Sequence, residues 1–426
     1  MQYKSYNNVT FKNTVFYQNL PAVEREKFDV LTSIFHFKVN NYVLEQLIDW
    51  NNIPNDPIYQ LAFPREDMLA EEDFAHLTAL YRSGFTQEKL APFIQSAKQK
   101  TYPKVKHAAT GMPRNDEGDI IQGGYQNFPT ILNLFPDPLL KTCHAYCNYC
   151  FRWVAFNNTE AQKKTGYKDP YAPVPFLKKH TEIRDVMFTG ADPLVLNADV
   201  IKKFIDPILD IDHIEVVRIN SKALAWWPYR FTTDKDADEL LKLFEYIQSK
   251  GKHFNLTGHF THARELENDV VKQAIKRIQN TGTTIRCQGP MVKGINDTSE
   301  ALINLWKEQI NNGLIPYYVF IEADHNPQSR MRLSLAEYLR VFQEAQKKTT
   351  GLARTVRGPV FMNDINRVLL DGTTELNGEK YFVLKSLQSP PETNSEGKIK
   401  LIPYDEHTKD AGNLFELFNQ EEVASV

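Results

Sequence analysis

Between residues 184 and 323, five short apolar runs alternate with amphipathic stretches, and that rhythm limits the fold more than anything else in the 426-residue chain. The runs are RDVMFTG (184–190), IEVVRINS (214–221), HFNLTGHF (253–260), TIRCQGPMV (284–292) and IPYYVFIEA (315–323), and PLLKT (138–142) reads as an earlier one of the same kind. Between them ADVIKKFIDPIL, DADELLKLFEYIQSKG, ARELENDVVKQAIKRIQNTG and DTSEALINLWKEQINNG space apolar residues three and four apart, the period of a helix with one buried face. Six such strands in series predict an α/β fold of repeated βα units around a parallel sheet, a partial (β/α)6 TIM-like barrel.

In a barrel of this kind chemistry gathers at the C-terminal ends of the strands. The clusters CHAYCNYC, TGADP, NSKA, HFTH, QGP and EADHN each fall just after a predicted strand, where polar and glycine residues are expected. Upstream, residues 1–105 read as a helical region: EREKFDVLTSIFHFKV, EEDFAHLTALYRSG and TQEKLAPFIQSAKQK carry the helical period and show no catalytic constellation. The barrel is expected over 106–350. An extension over 351–426 follows, in which VLLDGTTELNGEKYFVLKSL predicts a β-hairpin turning at NG and the tail from about 389 reads as irregular.

Fifty basic against fifty-three acidic residues, with no basic run, argue against nucleic acid and point to small-molecule partners. No segment approaches the roughly 20 apolar residues that span a bilayer, and the N-terminus MQYKSYNNVTFKN lacks the apolar run of a signal peptide. A cytoplasmic protein with no membrane partner is the expectation. Four cysteines are too few for a disulfide scaffold, so a close cluster of them suggests metal or redox chemistry.

Three of the four stand in KTCHAYCNYCF, as Cys143, Cys147 and Cys150, with spacing C-x3-C-x2-C. A structural zinc site takes four N or S ligands, and here only Cys287 or His144 is at hand to complete one. Iron–sulfur cubanes are ordinarily held by four cysteines, so three thiolates suit a [4Fe-4S] cluster that leaves one iron open to another ligand. The donor set admits both.

With the aromatic Tyr149 before the last cysteine, C-x3-C-x-aromatic-C resembles the signature of the radical S-adenosylmethionine superfamily. DPIYQLAFP, FPDPLLKTCHAYCNYCFRW, FTGADPLVL, VVRINSKALAWWPYRFTTD, GHFTHARELE, QGPMVKGIND, IPYYVFIEADH and ARTVRGPV occur in order between about Asp56 and Ser386. In this series the chain is similar to the lysine 2,3-aminomutase-like group. The resemblance implies that Cys143, Cys147 and Cys150 hold a [4Fe-4S] cluster whose open iron binds S-adenosyl-L-methionine. Reductive cleavage then gives a 5'-deoxyadenosyl radical that takes a hydrogen atom from substrate.

By the same resemblance Tyr149, Gly190, Asp192, Asn220, Ser221, His259 and Gln288 lie against the cosubstrate, with Lys222 beside them. His262 and Asp324 serve the substrate, Asp324 standing where the group holds a distal ammonium. Each has a plainer reading: Asp192 as a helix cap, His262 bonded to backbone, Trp226 and Trp227 as packing. Cys287 precedes Gln288 on one strand and should point to the opposite face as a buried thiol. A flavodoxin- or ferredoxin-type reductant and a homo-oligomer are further implications.

Two positions depart from the group. Arg367 stands where the aminomutases carry the lysine that binds pyridoxal phosphate, and an arginine, always protonated, cannot form that Schiff base. Pro138 stands where they carry an arginine for the substrate carboxylate. The expectation is a radical enzyme that abstracts hydrogen from a small polar, amino-acid-like substrate. Alternatives are a true pyridoxal phosphate-dependent lysine or amino-acid 2,3-aminomutase of the isomerase class, holding the cofactor through another lysine or without a covalent link (Lys380 and Lys385 reach inward only if the alignment shifts), and a noncatalytic iron–sulfur or zinc scaffold.

Overall fold

The computed structural model describes residues 1–84, 87–101, 112–114, 118, 120–136, 142–150, 166–322, 331–362, 366–390 and 395–419. Near the N-terminus, Ser5–Asn7 (β1) pairs antiparallel with Lys38–Asn40 (β2), a small sheet inside a segment expected to be helical throughout. The helices around it, Ala22–Ile34, Glu71–Arg82 and Gln87–Thr101, follow the amphipathic stretches closely.

The remaining described strands form one sheet. These are Gly124–Phe128 (β3), Ile131–Leu134 (β4), Asp185–Phe188 (β5), Val216–Ser221 (β6), His253–His259 (β7), Thr284–Pro290 (β8), Ile315–Ile321 (β9), Arg357–Met362 (β10), Arg367–Leu376 (β11), Glu379–Gln388 (β12) and Ile399–Pro403 (β13). They lie side by side in chain order. From β4 to β10 every neighbour is parallel, whereas β3 and β11 to β13 pair antiparallel. Five of the six predicted strands stand where the apolar runs placed them. Of the sixth, PLLKT, residues 138–141 lie outside the described residues, as does Pro138. The strand that opens the parallel series is β4, from ILNL, whose single alternation Leu132/Leu134 is too short to stand out as a pattern.

The helices between strands form for local reasons. Ala198–Leu209 is capped by Asn197, whose side chain accepts from the Val200 amide, and it buries Ile201, Phe204, Ile205 and Ile208. Leu335–Lys348 begins with a reciprocal Ser334–Glu337 capping box. The hairpin between β11 and β12 turns on Asn377 and Gly378 at φ 54° and 84°, the paired positive φ that a tight hairpin needs. Its neighbour corrects the expectation for the tail: Ile399–Pro403 adds a further strand, and Leu414 and Phe418 of a last helix are buried.

Along the parallel strands one set of side chains, Leu132, Val186, Phe188, Val217, Ile219, Ile285 and Cys287, packs into the main core. That core runs without a break into Phe11, Phe28, Phe37 and Phe63 of the N-terminal segment. The alternate set, including Asn133, Arg218, Asn220, Arg286 and Gln288, occupies the other face and is only partly buried. That face is enclosed, because the sheet curls until Arg367 on β11 comes within 5.3 Å of the Phe128 ring on β3, eight strands away in the sheet order. Among the described residues, no helix is long and apolar enough to cross a membrane.

Candidate active site at the strand ends

Cys143, Cys147 and Cys150 lie half-buried on the loop 142–150 beyond β4, and none is in a disulfide. The N-terminal segment fastens this loop. Tyr146 donates its amide to the Lys38 carbonyl at 2.8 Å and Asn148 to the Leu61 carbonyl at 2.9 Å, while the Asn148 side chain reaches the Gln60 carbonyl. The carbonyl of His144 accepts from the Tyr3 hydroxyl at 3.0 Å and from the Asn40 amide at 3.2 Å, and the same Asn40 amide group donates to the Trp226 carbonyl at 2.8 Å. The helical region thus contributes a frame for the thiols, which periodicity alone did not reveal.

Under the loop lies a buried ion pair. Lys222 Nζ is 2.6 Å from Glu265 Oε1, which also accepts from Trp226 Nε1 at 2.9 Å. Glu265 Oε2 accepts the amides of Thr261 at 2.5 Å and His262 at 3.1 Å. Tyr149 touches this group through Thr261 Oγ1 at 3.4 Å, and Lys222 also donates to the His259 carbonyl at 3.3 Å. Burial pushes the Cys147 thiol up to about 12, opposed by the nearby Lys222 ammonium. Trp226 and Trp227 are both fully buried and pack as core residues.

The TGADP turn after β5 has Gly190 at φ 137°, in the region that favours glycine. Asp192 is buried and fully engaged by the chain itself. Its Oδ1 accepts from Ser221 Oγ at 2.7 Å and from the Leu194 amide at 3.0 Å, as a cap, and its Oδ2 accepts the Lys222 amide at 2.9 Å and lies 3.8 Å from His144 Nδ1. Although burial would raise its carboxyl, the neighbouring His144 imidazole and the hydrogen bond from Ser221 hold it below the usual carboxylate value. Ser221 in turn accepts the Ala223 amide at 2.9 Å. The Asp192 amide donates to the Thr142 carbonyl at 3.3 Å, so Asp192, held by Ser221, ties the cysteine loop to the ends of β5 and β6.

The other predicted residues separate into two groups. Asn220, His259 and Gln288 line the enclosed face, with Gln288 Nε2 and His259 Nε2 3.0 Å apart, and the buried Asn220 Oδ1 has no hydrogen-bond partner. His262 sits outside that row as the cap of the short helix Ala263–Leu266, its Nδ1 accepting the Arg264 amide at 3.2 Å. Burial lowers its imidazole below the ordinary value, so it is neutral near pH 7. Asp324 lies outside the described residues. Cys287 is buried in the main core, on the far side of β8 from Gln288.

One carboxylate was missed by the sequence reading. Glu322 follows directly on β9, is 4 % exposed, and neither of its oxygens has a hydrogen-bond partner. Burial pushes its carboxyl up to about 8, with Arg65 and Arg332 pulling the other way.

The thiol loop suits a cluster with an open iron. It offers three sulfur donors and its nearest further cysteine is buried elsewhere, a count that leaves one iron of a cubane without a thiolate.

No family model matches the chain. It is 30% identical over 364 residues, 84% of either chain, to a putative L-lysine 2,3-aminomutase of Aquifex aeolicus. It is 23% identical to an L-lysine 2,3-aminomutase of Methanococcus maripaludis over 78% of this chain and 65% of that one. To a glutamate 2,3-aminomutase of Clostridioides difficile it is 24% identical over 52% of this chain and 51% of that one. Among solved structures, Streptococcus suis SuiB bound to S-adenosylmethionine gives a TM-score of 0.37 at 14% identity, over 64% of this chain and 56% of that one. On its extended match to the Aquifex protein, the chain belongs to the lysine 2,3-aminomutase-like family of radical S-adenosylmethionine enzymes.

Proposed function

We propose that this radical enzyme carries a [4Fe-4S] cluster on Cys143, Cys147 and Cys150 and abstracts a hydrogen atom from a small, polar, amino-acid-like substrate held on the enclosed face of the barrel. The observation that carries the reading is the three-thiol loop, braced by Asn40 and Asp192, opening beside a polar row of Asn220, His259 and Gln288. When bound, the cluster and S-adenosylmethionine supply one-electron reductive cleavage and with it a 5'-deoxyadenosyl radical. The chain's own residues do the rest. Asn220 offers an unpartnered carbonyl oxygen, and His259 and Gln288 orient each other at the mouth. Lys222 and Glu265 keep water from beneath Tyr149.

The same reading separates this protein from a pyridoxal phosphate enzyme. Arg367 occupies the first position of β11 with its guanidinium engaged by Gln388 Oε1 at 2.8 Å, and it has no chemistry for an imine. Lys380 and Lys385 lie in β12, and Lys380 faces the Tyr404 ring at 3.9 Å.

Anaerobic reconstitution with iron and sulfide, followed by reductant and S-adenosylmethionine, should yield 5'-deoxyadenosine. None from a fully loaded protein would overturn the enzymatic reading. Borohydride treatment in the presence of pyridoxal phosphate should leave no modified lysine between residues 366 and 390, and a stoichiometric adduct there would favour a true aminomutase.

A further inference from the structure

The enclosed face carries positive charge that the cysteine loop does not use. Arg218 on β6 is matched by Asp185 on β5 at 2.8 Å. Arg286 on β8 and Arg367 on β11 have no carboxylate partner among the described residues. Arg286 lies 5.3 Å from the Tyr317 ring, and Arg367 lies 4.9 Å from the Tyr318 ring and 5.3 Å from that of Phe128. The Arg367 Nε is buried without an acceptor, although its Nη1 is satisfied by Gln388.

Consecutive strand residues ordinarily point to opposite faces. Tyr317 and Tyr318 both come to the arginines because β9 is bulged at Tyr317: its pairing with β8 passes from Cys287↔Pro316 to Gln288↔Tyr318, leaving Tyr317 unpaired. Bulges re-aim side chains in this way beside functional sites. The two rings lie 4.2 Å apart. Burial would raise the Tyr318 hydroxyl, yet the guanidiniums of Arg367 and Arg357 hold it below its ordinary value.

We propose that Arg367, with Tyr318 and Arg286 beside it, forms a subsite for an oxyanion, the carboxylate or phosphate group of the substrate. The inference rests on the reading of the enclosed face as the substrate chamber. Register connects the two parts: Tyr318 neighbours Gln288, and Gln288 contacts His259, so one wall runs from the strand ends to Arg367. A purely mechanical role, in which Arg367 rivets β3 to β11 between two rings, accounts for its stacking. It leaves the buried Nε without an acceptor and Arg286 without a counter-charge. An oxyanion answers both, because a guanidinium fork donates two parallel hydrogen bonds to it.

The test uses the purified, cluster-bearing full chain without cosubstrate. Phenylglyoxal labelling is followed peptide by peptide, alone and with inorganic phosphate or succinate as probe. At least one probe should slow modification of Arg367 fivefold or more, while the exposed Arg354 reacts unchanged. Protection by succinate alone assigns a carboxylate, by phosphate alone a phosphate ester, and by both a general oxyanion site. No protection, or an Arg367 unreactive even without probe, overturns the subsite, since neither leaves a route for an anion. As a second measurement, the protecting probe should raise the melting temperature of the wild type but not of Arg367→Gln. An equal rise in both counts against the proposal. Neither readout involves 5'-deoxyadenosine, so failure here is distinct from failure of the radical reaction.

Discussion

The ammonium of Lys222 and the carboxylate of Glu265 meet at 2.6 Å beneath the cysteine loop, and the Glu265 side chain has no exposed surface. Glu265 accepts from four donors: Lys222, Trp226 and the amides of Thr261 and His262. Removing one partner of such a pair strands the others without solvent to replace it. Glu265→Ala should therefore lose roughly 3–5 kcal/mol in urea unfolding. Glu265→Gln keeps one acceptor oxygen but turns an NH2 group toward two donors and leaves Lys222 unmatched, so it should lose nearly as much. A loss under half that of the alanine variant would mean that neither the charge nor the second oxygen organises this floor.

Asn40 tests whether the N-terminal frame serves the metal site. Its amide holds the carbonyls of His144 and Trp226, and its Oδ1 accepts the Val43 amide at 3.0 Å. Asn40→Ala should cost about 2–4 kcal/mol, at roughly 1 kcal/mol or more for each buried partner left unsatisfied. It should also lower the iron bound per chain after reconstitution. Full iron loading at reduced stability would confine Asn40 to folding.

The barrel was legible because five of its strands fall in short apolar runs bounded by turn signals, and because helices such as Ala198–Leu209 keep one apolar stripe over three turns. The cysteine loop was legible from spacing alone. What escaped was contact between distant segments: Asn40 and Tyr3 lie more than 100 residues from the His144 carbonyl they bind, and no local pattern marks them. The β9 bulge escaped for another reason. The run IPYYVFI reads as an unbroken strand, and only its pairing with β8 shows Tyr317 to be supernumerary. Asp192 was legible as a cap, and the structure adds that its second oxygen binds the end of β6.

The four cysteines should divide three to one. Cys143→Ser, Cys147→Ser and Cys150→Ser should each bind substoichiometric iron and lose the broad visible absorption of an iron–sulfur protein. Cys287 is packed in the core beneath β8, so Cys287→Ala should keep full iron content and cost about 1 kcal/mol from the small cavity. Iron loss in Cys287→Ala without a fall in melting temperature would place the fourth thiol at the cluster after all.

Glu322 predicts a pH dependence with a definite sign. Burial raises its carboxyl from 4.5 to about 8, outweighing the attraction of Arg65 and Arg332. Between those values the folded chain keeps a proton there that the unfolded chain has released. This contribution to stability is whole below about pH 4.5 and is lost as the pH climbs through about 8. The loss amounts to roughly 3–5 kcal/mol across the window. Glu322→Gln has no proton to release, so unfolding free energies of the two proteins should diverge steadily from pH 5.5 to 8 in favour of the variant, then run parallel. A constant difference over that range would mean that Glu322 is already ionised in the folded chain, matched by its two arginines.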